Sequence, residues 1–291
     1  MVFKSTFQGS NVISYPFSVQ GLHTRVLEAG QGERAVVFVH GTGGRADRWV
    51  RNIDAIAAAG YHVYALDLPG HGYASKGAEV ACSVPAYRDF LGQFLDAQKI
   101  DRATIVGTSL GGHVVAAYAV AHPARIDGIA LVGSMGLVPI GDEARGRIQA
   151  GANNQTRDGV ATKLARVIHD QALVTAEMQE EEWRINNSAG AAESFATLGR
   201  YIAADLDRDV VGEALAGTDF PVLLVWGEED KTVPPAVGEK ARAMLPRSRL
   251  ALLAGAAHTA YYEKPELFNR VLLDFLAGQG ATHQAAGLQW K

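Results

Sequence analysis

Val106-Gly107-Thr108-Ser109-Leu110-Gly111-Gly112 follows the apolar run Ala103-Thr104-Ile105-Val106 and precedes a small-residue, apolar run from His113 to Ala121. The first run reads as a buried strand and the second as a helix. A strand that turns at once into a helix brings two backbones close together. Glycines flanking the central serine remove the Cβ atoms that would collide there. Such a turn strains the central residue and lifts its side chain clear of the sheet. Ser109 would then stand at a helix N-terminus, where free N–H groups and the helix dipole favour negative charge. That is a place to form an alkoxide and to hold an oxyanion. Gly-x-Ser-x-Gly by itself is also an ordinary glycine-rich turn, so its surroundings decide.

Upstream, residues 16–29 alternate loosely and end in Gly30-Gln31-Gly32, the pattern of a hairpin at a sheet edge. Ala35-Val36-Val37-Phe38-Val39 is a strand buried on both faces, ending at His40-Gly41-Thr42-Gly43-Gly44. A helix over about 47–59 and a strand over 61–66 follow, the latter closing on Asp67-Leu68-Pro69-Gly70-His71-Gly72. Tyr87, Phe90, Leu91, Phe94 and Leu95 keep helical spacing. Downstream of the serine, Ile129-Ala130-Leu131-Val132 is a further buried strand. Strands alternating with helices predict an α/β fold with a doubly wound, mostly parallel sheet, and a ligand at the strands' carboxyl ends.

The rhythm breaks over 135–218, which is polar, alanine-rich and helical in tendency, with helices expected over 145–153, 160–169, 175–187 and 191–204. It reads as an inserted helical lid. The sheet resumes at Pro221-Val222-Leu223-Leu224-Val225-Trp226 and Leu250-Ala251-Leu252-Leu253, and a last amphipathic helix carries Leu267, Val271, Leu272 and Phe275. The expected organisation is therefore a core from 1–134 and 219–277, a lid from 135–218 and a loose polar tail from 278–291.

The 291 residues carry a formal net charge of -4, so no basic excess points to nucleic acid. A single cysteine, Cys82, leaves no internal disulfide framework and suits a reducing compartment. No stretch has the length and apolarity of a signal peptide or membrane span. A cytoplasmic protein with a small-molecule substrate is the expectation, without nucleic acid or membrane partners, and a homo-oligomer is compatible with the sequence.

A serine hydroxyl needs a base, and the base an orienting carboxylate. Both stand after the insertion, each just past a strand: acids in Gly227-Glu228-Glu229-Asp230-Lys231-Thr232-Val233-Pro234, and His258 in Gly255-Ala256-Ala257-His258. Alone, Asp230 is as readily a solvated loop acid and His258 a structural histidine. Three suitable residues in the order Ser, Asp, His, each at a strand end, point to one site.

On these motifs the chain resembles the α/β-hydrolase superfamily over about 22–277. The matching features are His40-Gly41, the Asp67–Gly72 segment, Gly107-x-Ser109-x-Gly111-Gly112, Gly227-x-x-Asp230-x-x-Val233-Pro234 and His258. The resemblance implies a serine hydrolase with Ser109 as nucleophile, His258 as general base and acid, and Asp230 as its orienting partner. It implies an oxyanion hole from the backbone N–H groups of Leu110 and Thr42, with no cofactor and no metal. The segment from His258 to Leu276, and the stretch from Val174 to Trp183, are similar to the meta-cleavage-product hydrolases, which cut a C–C bond in ring-fission products of aromatic compounds. By that likeness Gly41, Trp183 and Arg184 are candidate substrate-binding residues. Glu182 stands where that group carries a substrate-binding arginine, Thr108 replaces an asparagine and Thr259 a tryptophan.

An ionised Glu182 beside the substrate would repel a carboxylate. The expected reaction is therefore cleavage of a small carboxylic ester or enol-lactone through an acyl-enzyme. The alternatives are a C–C hydrolase of a ring-fission product whose cation is Arg184 or Arg157, a perhydrolase, and a slow-turnover ligand receptor on the same fold. Among the other candidates, His40-Gly41-Thr42-Gly43-Gly44 lacks the Gly-Lys-Ser/Thr of a phosphate loop. His71, His113 and Cys82 read as structural.

Overall fold

The computed structural model describes residues 11–278 and 284–291. Strands β1 (Ile13–Val19) and β2 (Leu22–Ala29) form the antiparallel edge hairpin expected from their alternation. Strands β3 (Ala35–Val39), β4 (His62–Leu66), β5 (Ala103–Thr108), β6 (Ile126–Val132), β7 (Val222–Gly227) and β8 (Ser248–Leu253) run parallel to one another. β9 (Leu288–Trp290) closes the far edge antiparallel to β8, and the sheet order is β1-β2-β4-β3-β5-β6-β7-β8-β9. The chain steps from β3 outward to β4 and then returns to the other side of β3 as β5. That reversal opens a crevice at the carboxyl ends of β3 and β5.

Helix α1 (Val50–Ala58) and helix α11 (Pro265–Leu276), which follows the short α10 (Ala260–Glu263), cover one face of the sheet, and their Ile53, Ile56, Phe268 and Leu272 share a core with Phe38, Ala65 and Val106. Helices α2 (Val84–Ala97), α3 (Leu110–Ala121) and α9 (Pro235–Met244) cover the other, packing Phe90, Phe94, Val114 and Ala241 on Val37, Ile105 and Leu224. The central strands are buried throughout because both faces are covered.

Between β6 and β7 the described residues form no strand. Helices α4 (Asp142–Asn153), α5 (Arg157–Val167), α6 (Ala176–Asn186) and α7 (Ala191–Ala204) lie within a few residues of their expected spans, and a short α8 (Gly212–Ala216) follows. Thr156 and Thr175 accept bonds from Gly159 N and Met178 N, fixing the starts of α5 and α6. No helix among the described residues is long and apolar enough to cross a membrane.

The tail departs from expectation. Residues 279–283 lie outside the described residues, but 288–290 are not loose. Leu288 and Trp290 pack against the apolar core while Gln289 faces outward. Leu250 N donates to Lys291 O and Lys291 N to Leu250 O, at 3.1 and 2.9 Å. Without β9, β8 would present an unpaired edge, and three alternating residues are enough to cover it.

Candidate active site

Ser109 adopts φ 55° and ψ −121° between β5 and α3, the strained turn implied by its flanking glycines. A Cβ on Gly107 would lie 2.4 Å from the Gly111 carbonyl oxygen, and one on Gly111 2.3 Å from that of His40. No other residue fits at either position. Ser109 N donates to Val132 O at 3.0 Å, and its carbonyl accepts from Met135 N at 3.1 Å, so the turn is tied to the end of β6. Leu110 opens α3, where the first amides have no intrahelical acceptor.

Asp230 follows β7 and is buried. Its Oδ1 accepts from Thr232 N and Val233 N at 2.8 and 2.9 Å, and its Oδ2 faces His258 Nδ1 at 2.7 Å. Both carboxylate oxygens are thus fixed, whereas Glu228 and Glu229 are exposed. An imidazole that donates Nδ1–H to a carboxylate presents Nε2 as a proton acceptor. His258 and Ser109 line the same cavity, together with Thr42, Gly43, Lys163 and Val167.

The loop after β3 completes the mouth. A Cβ on Gly41 would sit 2.8 Å from Ser109 Cβ, so this backbone and the serine-bearing turn are in close approach. Gly44 N donates to Gly41 O at 3.0 Å, which folds Thr42 over the serine turn. His40 braces this loop, donating from Nδ1 to Gly41 O at 2.8 Å while Nε2 accepts from Leu68 N at 2.9 Å. Burial, helped by the nearby Arg48, Arg25 and Arg45, lowers its pKa to about 4 and keeps it neutral. His71 packs edge-on against Phe195 and is lowered to about 3, first by burial and then by the neighbouring His40. Asp67 caps the neighbouring loop, accepting from Ala46 N and Tyr73 N at 2.7 and 2.8 Å. His113 behind the serine bonds Asp209 O at 2.7 Å, and Cys82 is buried, as structural residues should be.

The helical insertion corrects three expectations. Glu182 is buried completely but does not line the cavity; its carboxylate is held by Arg45, Arg48 and Lys163. Burial pushes its pKa up, yet Arg48, Lys163 and Arg45 outweigh that and hold it at about 2. Arg184 is 73% exposed and pairs with Glu180 at 2.7 Å on the outer surface. Trp183 lines a separate cleft with Asn153, Asn187 and Phe195, under the Arg157 guanidinium at 3.8 Å from its ring centroid. Arg157 itself is spent on Glu180. The reason is helical geometry: successive residues on α6 point about 100° apart, so Glu182, Trp183 and Arg184 face three directions.

The cations at the cavity are instead Arg48, Lys163 and Arg166. Lys163 also reaches Gly43 O at 3.3 Å, linking α5 to the loop after β3. The only sequence signal for Lys163 and Arg166 is their i, i+3 spacing beside Val160 and Leu164, which places both near one helix face.

Residues 34–265 match the family model described as the alpha/beta hydrolase fold. The chain is 33% identical over 268 residues to a dihydrolipoyllysine-residue acetyltransferase component of an acetoin cleaving system from Cupriavidus necator, covering 91% of this chain and 70% of that protein. It is 30% identical over 267 residues to a 2-hydroxy-6-oxononadienedioate/2-hydroxy-6-oxononatrienedioate hydrolase from Burkholderia vietnamiensis, covering 88% and 91%. Among solved structures, a meta-cleavage product hydrolase from Pseudomonas fluorescens IP01 superposes with a TM-score of 0.81 at 24% identity, over 91% of this chain and 98% of that one.

Proposed function

This chain belongs to the α/β-hydrolase fold family, and from that premise we propose that it is a serine hydrolase cleaving the C–C bond beside a ketone in an anionic ring-fission product. In this reading the helical insertion is the lid. Ser109 Oγ attacks the ketone carbon as His258 Nε2 takes its proton, and Asp230 holds the resulting imidazolium. The oxyanion accepts from the N–H groups of Leu110 and Thr42, each contributing on the order of 3 kcal/mol in such holes. The C–C bond breaks with its electron pair leaving on a carbon conjugated to a ketonised 2-oxo acid, and the His258 imidazolium protonates that carbanion and returns to the free base. Water, deprotonated by His258, attacks the acyl-serine and releases a carboxylic acid.

One observation carries the preference for this bond over the ester or enol-lactone expected from the sequence. The objection to a carboxylate substrate was Glu182, and its charge lies outside the cavity, neutralised by Arg45, Arg48 and Lys163. The relatives named as 2-hydroxy-6-oxononadienedioate hydrolases support the same reading. The test compares kcat/KM on a ring-fission 2-hydroxy-6-oxodienoate and on a neutral aryl acetate. A dienoate preference of 100-fold or more, about 2.7 kcal/mol of transition-state stabilisation, is expected. A faster ester would return the reading to an esterase.

The acetyltransferase relative favours a second reading, in which the acyl-serine is discharged to a thiol instead of water. Product partition between acid and thioester, with a dithiol present, separates the two.

A further inference from the structure

The cavity that Ser109 and His258 share is too small for a substrate. Its two lobes, one beneath Tyr261 and one between α4 and α5, hold about 60 and about 50 Å³. That is room for a few waters, against roughly 300 Å³ or more for a small-molecule site. The cleft at Trp183 holds about 680 Å³ and reaches the surface at the exposed Asn153, Asn187 and Ala192.

Gln155 walls both spaces. Its Nε2 donates to Ala152 O at 2.7 Å on α4, and its Oε1 accepts from Asn186 Nδ2 at 2.8 Å at the end of α6. Asn186 and Phe195 also line the cleft, and their Nδ2 and Cε1 lie 4.0 and 3.9 Å from where a Cβ on Gly43 would stand. Gly43 in turn lines both lobes around Ser109. Cleft and cavity are therefore parted by a single layer of side chains, held shut by a neutral amide pair.

A second cleft, of about 740 Å³, shares Arg48 with the lobe beneath Tyr261. Arg48 is ion-paired with the wholly buried Glu182. Swinging it aside strips a cation from a carboxylate that water does not reach, which is costly. Parting Gln155 from Asn186 breaks a hydrogen bond between uncharged groups, and water entering the open cleft replaces it at little net cost. The two walls are unequal, and the amide wall is the one that yields.

We propose that the cleft at Trp183 is the entry vestibule to Ser109 and that the Gln155–Asn186 pair is its gate. A substrate longer than the inner cavity accepts leaves its far end in the vestibule. Trp183 and Phe195 offer rings there, and Asn153 and Asn187 offer amides. Arg157 is paired with Glu180 and Asp158 adds an acid, so the vestibule suits an uncharged aromatic or hydroxylated tail. The inference rests on the hydrolase reading for the group attacked but not for the route.

The experiment reads the route without catalysis. In Ser109→Cys, the rate of alkylation at 109 by N-benzyliodoacetamide is followed by peptide mass, apart from the buried Cys82. Ala192→Trp fills the vestibule from an exposed position, and Ala172→Trp fills the second cleft likewise. On that background Ala192→Trp should slow alkylation about 10-fold or more, while Ala172→Trp stays within about threefold. A damaged fold would speed alkylation, so it cannot imitate the slowing. Gln155→Ala should raise the rate, and adding Ala192→Trp should cancel the rise, which a loosened fold would not allow. Slowing by Ala172→Trp alone, or by neither variant, would overturn the vestibule. A Gln155→Ala rate no higher than that of its parent would overturn the gate. A wild-type chain that turns over neither ester nor dienoate would sink the hydrolase reading, and the alkylation rates would still decide the route.

Discussion

Thr259 donates both its backbone N–H and its hydroxyl to the Val167 carbonyl, each at 3.1 Å, so the residue after His258 is bonded to the end of α5. Glu263 doubles the link. Its carboxylate accepts from His169 N and Asp170 N at 2.6 and 3.1 Å on the insertion, and from Ala257 N at 2.8 Å on the histidine loop. The helices over the site and the imidazole beneath them are therefore positioned by one buried carboxylate. Glu263→Ala leaves three amides unanswered and should cost on the order of 2–4 kcal/mol. Glu263→Gln, keeping one acceptor, should cost less. Denaturant melts read the stability. If kcat then stays at the wild-type value in the folded Gln variant, the carboxylate does not position His258.

In the proposed site Asp230 is the orienting acid: both its oxygens are occupied, whereas Glu228 and Glu229 face solvent. Asp230→Asn should lower kcat about 10⁴-fold if tautomer control operates as it does in serine proteases. Glu228→Gln and Glu229→Gln should stay within about twofold. Ser109→Ala should remove turnover without unfolding the chain, and a fluorophosphonate should label Ser109 alone. Damage from either glutamate change would require the site to be redrawn.

Much of this was legible in the sequence because strands, serine turn and triad candidates are local patterns with fixed offsets. The Gly107 and Gly111 contacts are backbone collisions that only glycine avoids, so they leave a readable mark. The insertion was legible only as helices. Which face of α6 points inward depends on what packs against it, and a change of phase by one or two residues exchanges Glu182 for Trp183 or Arg184. That Arg166 Nε is buried without a hydrogen-bond partner among the described residues is likewise a property of its neighbours. β9 was missed because three alternating residues after a polar stretch carry too little periodicity to stand out; what recruits them is the bare edge of β8.

Glu182 should be structural where Arg184 is dispensable. Glu182→Leu would leave Arg45, Arg48 and Lys163 facing one another, a loss on the order of 3–5 kcal/mol typical of a broken buried pair. Arg184→Ala, on an exposed pair, should stay within about 0.5 kcal/mol and leave kcat/KM unchanged. Thermal melts and kinetics on one ester substrate check both. A stable Glu182→Leu together with a crippled Arg184→Ala would restore the substrate role first expected of Arg184.

Acid should weaken the fold well above the carboxylate range, through His40 and His71. Their folded pKa values, about 4 and about 3, lie below the ordinary imidazole value near 6.5. Between those limits the unfolded chain takes up protons that the folded chain refuses. Stability is then greatest above pH ~6.5 and declines as the pH falls towards 4. The His40 shift alone corresponds to roughly 3 kcal/mol. Glu182 has its folded pKa near 2, so its contribution is complete above about pH 4.5 and is lost only below that. The window from pH 6.5 to 4.5 therefore isolates the histidines. Among the described residues His71 Nε2 has no hydrogen-bond partner, and its ring packs edge-on between Tyr87 and Phe195 at 6.0 and 5.6 Å. His71→Phe should thus fold at pH 7 and lose less stability than wild type on going to pH 5, by about 1.4 kcal/mol per pH unit. Urea midpoints at pH 7, 6 and 5 measure the difference. Parallel slopes for the two proteins would show that His71 is not held neutral by burial.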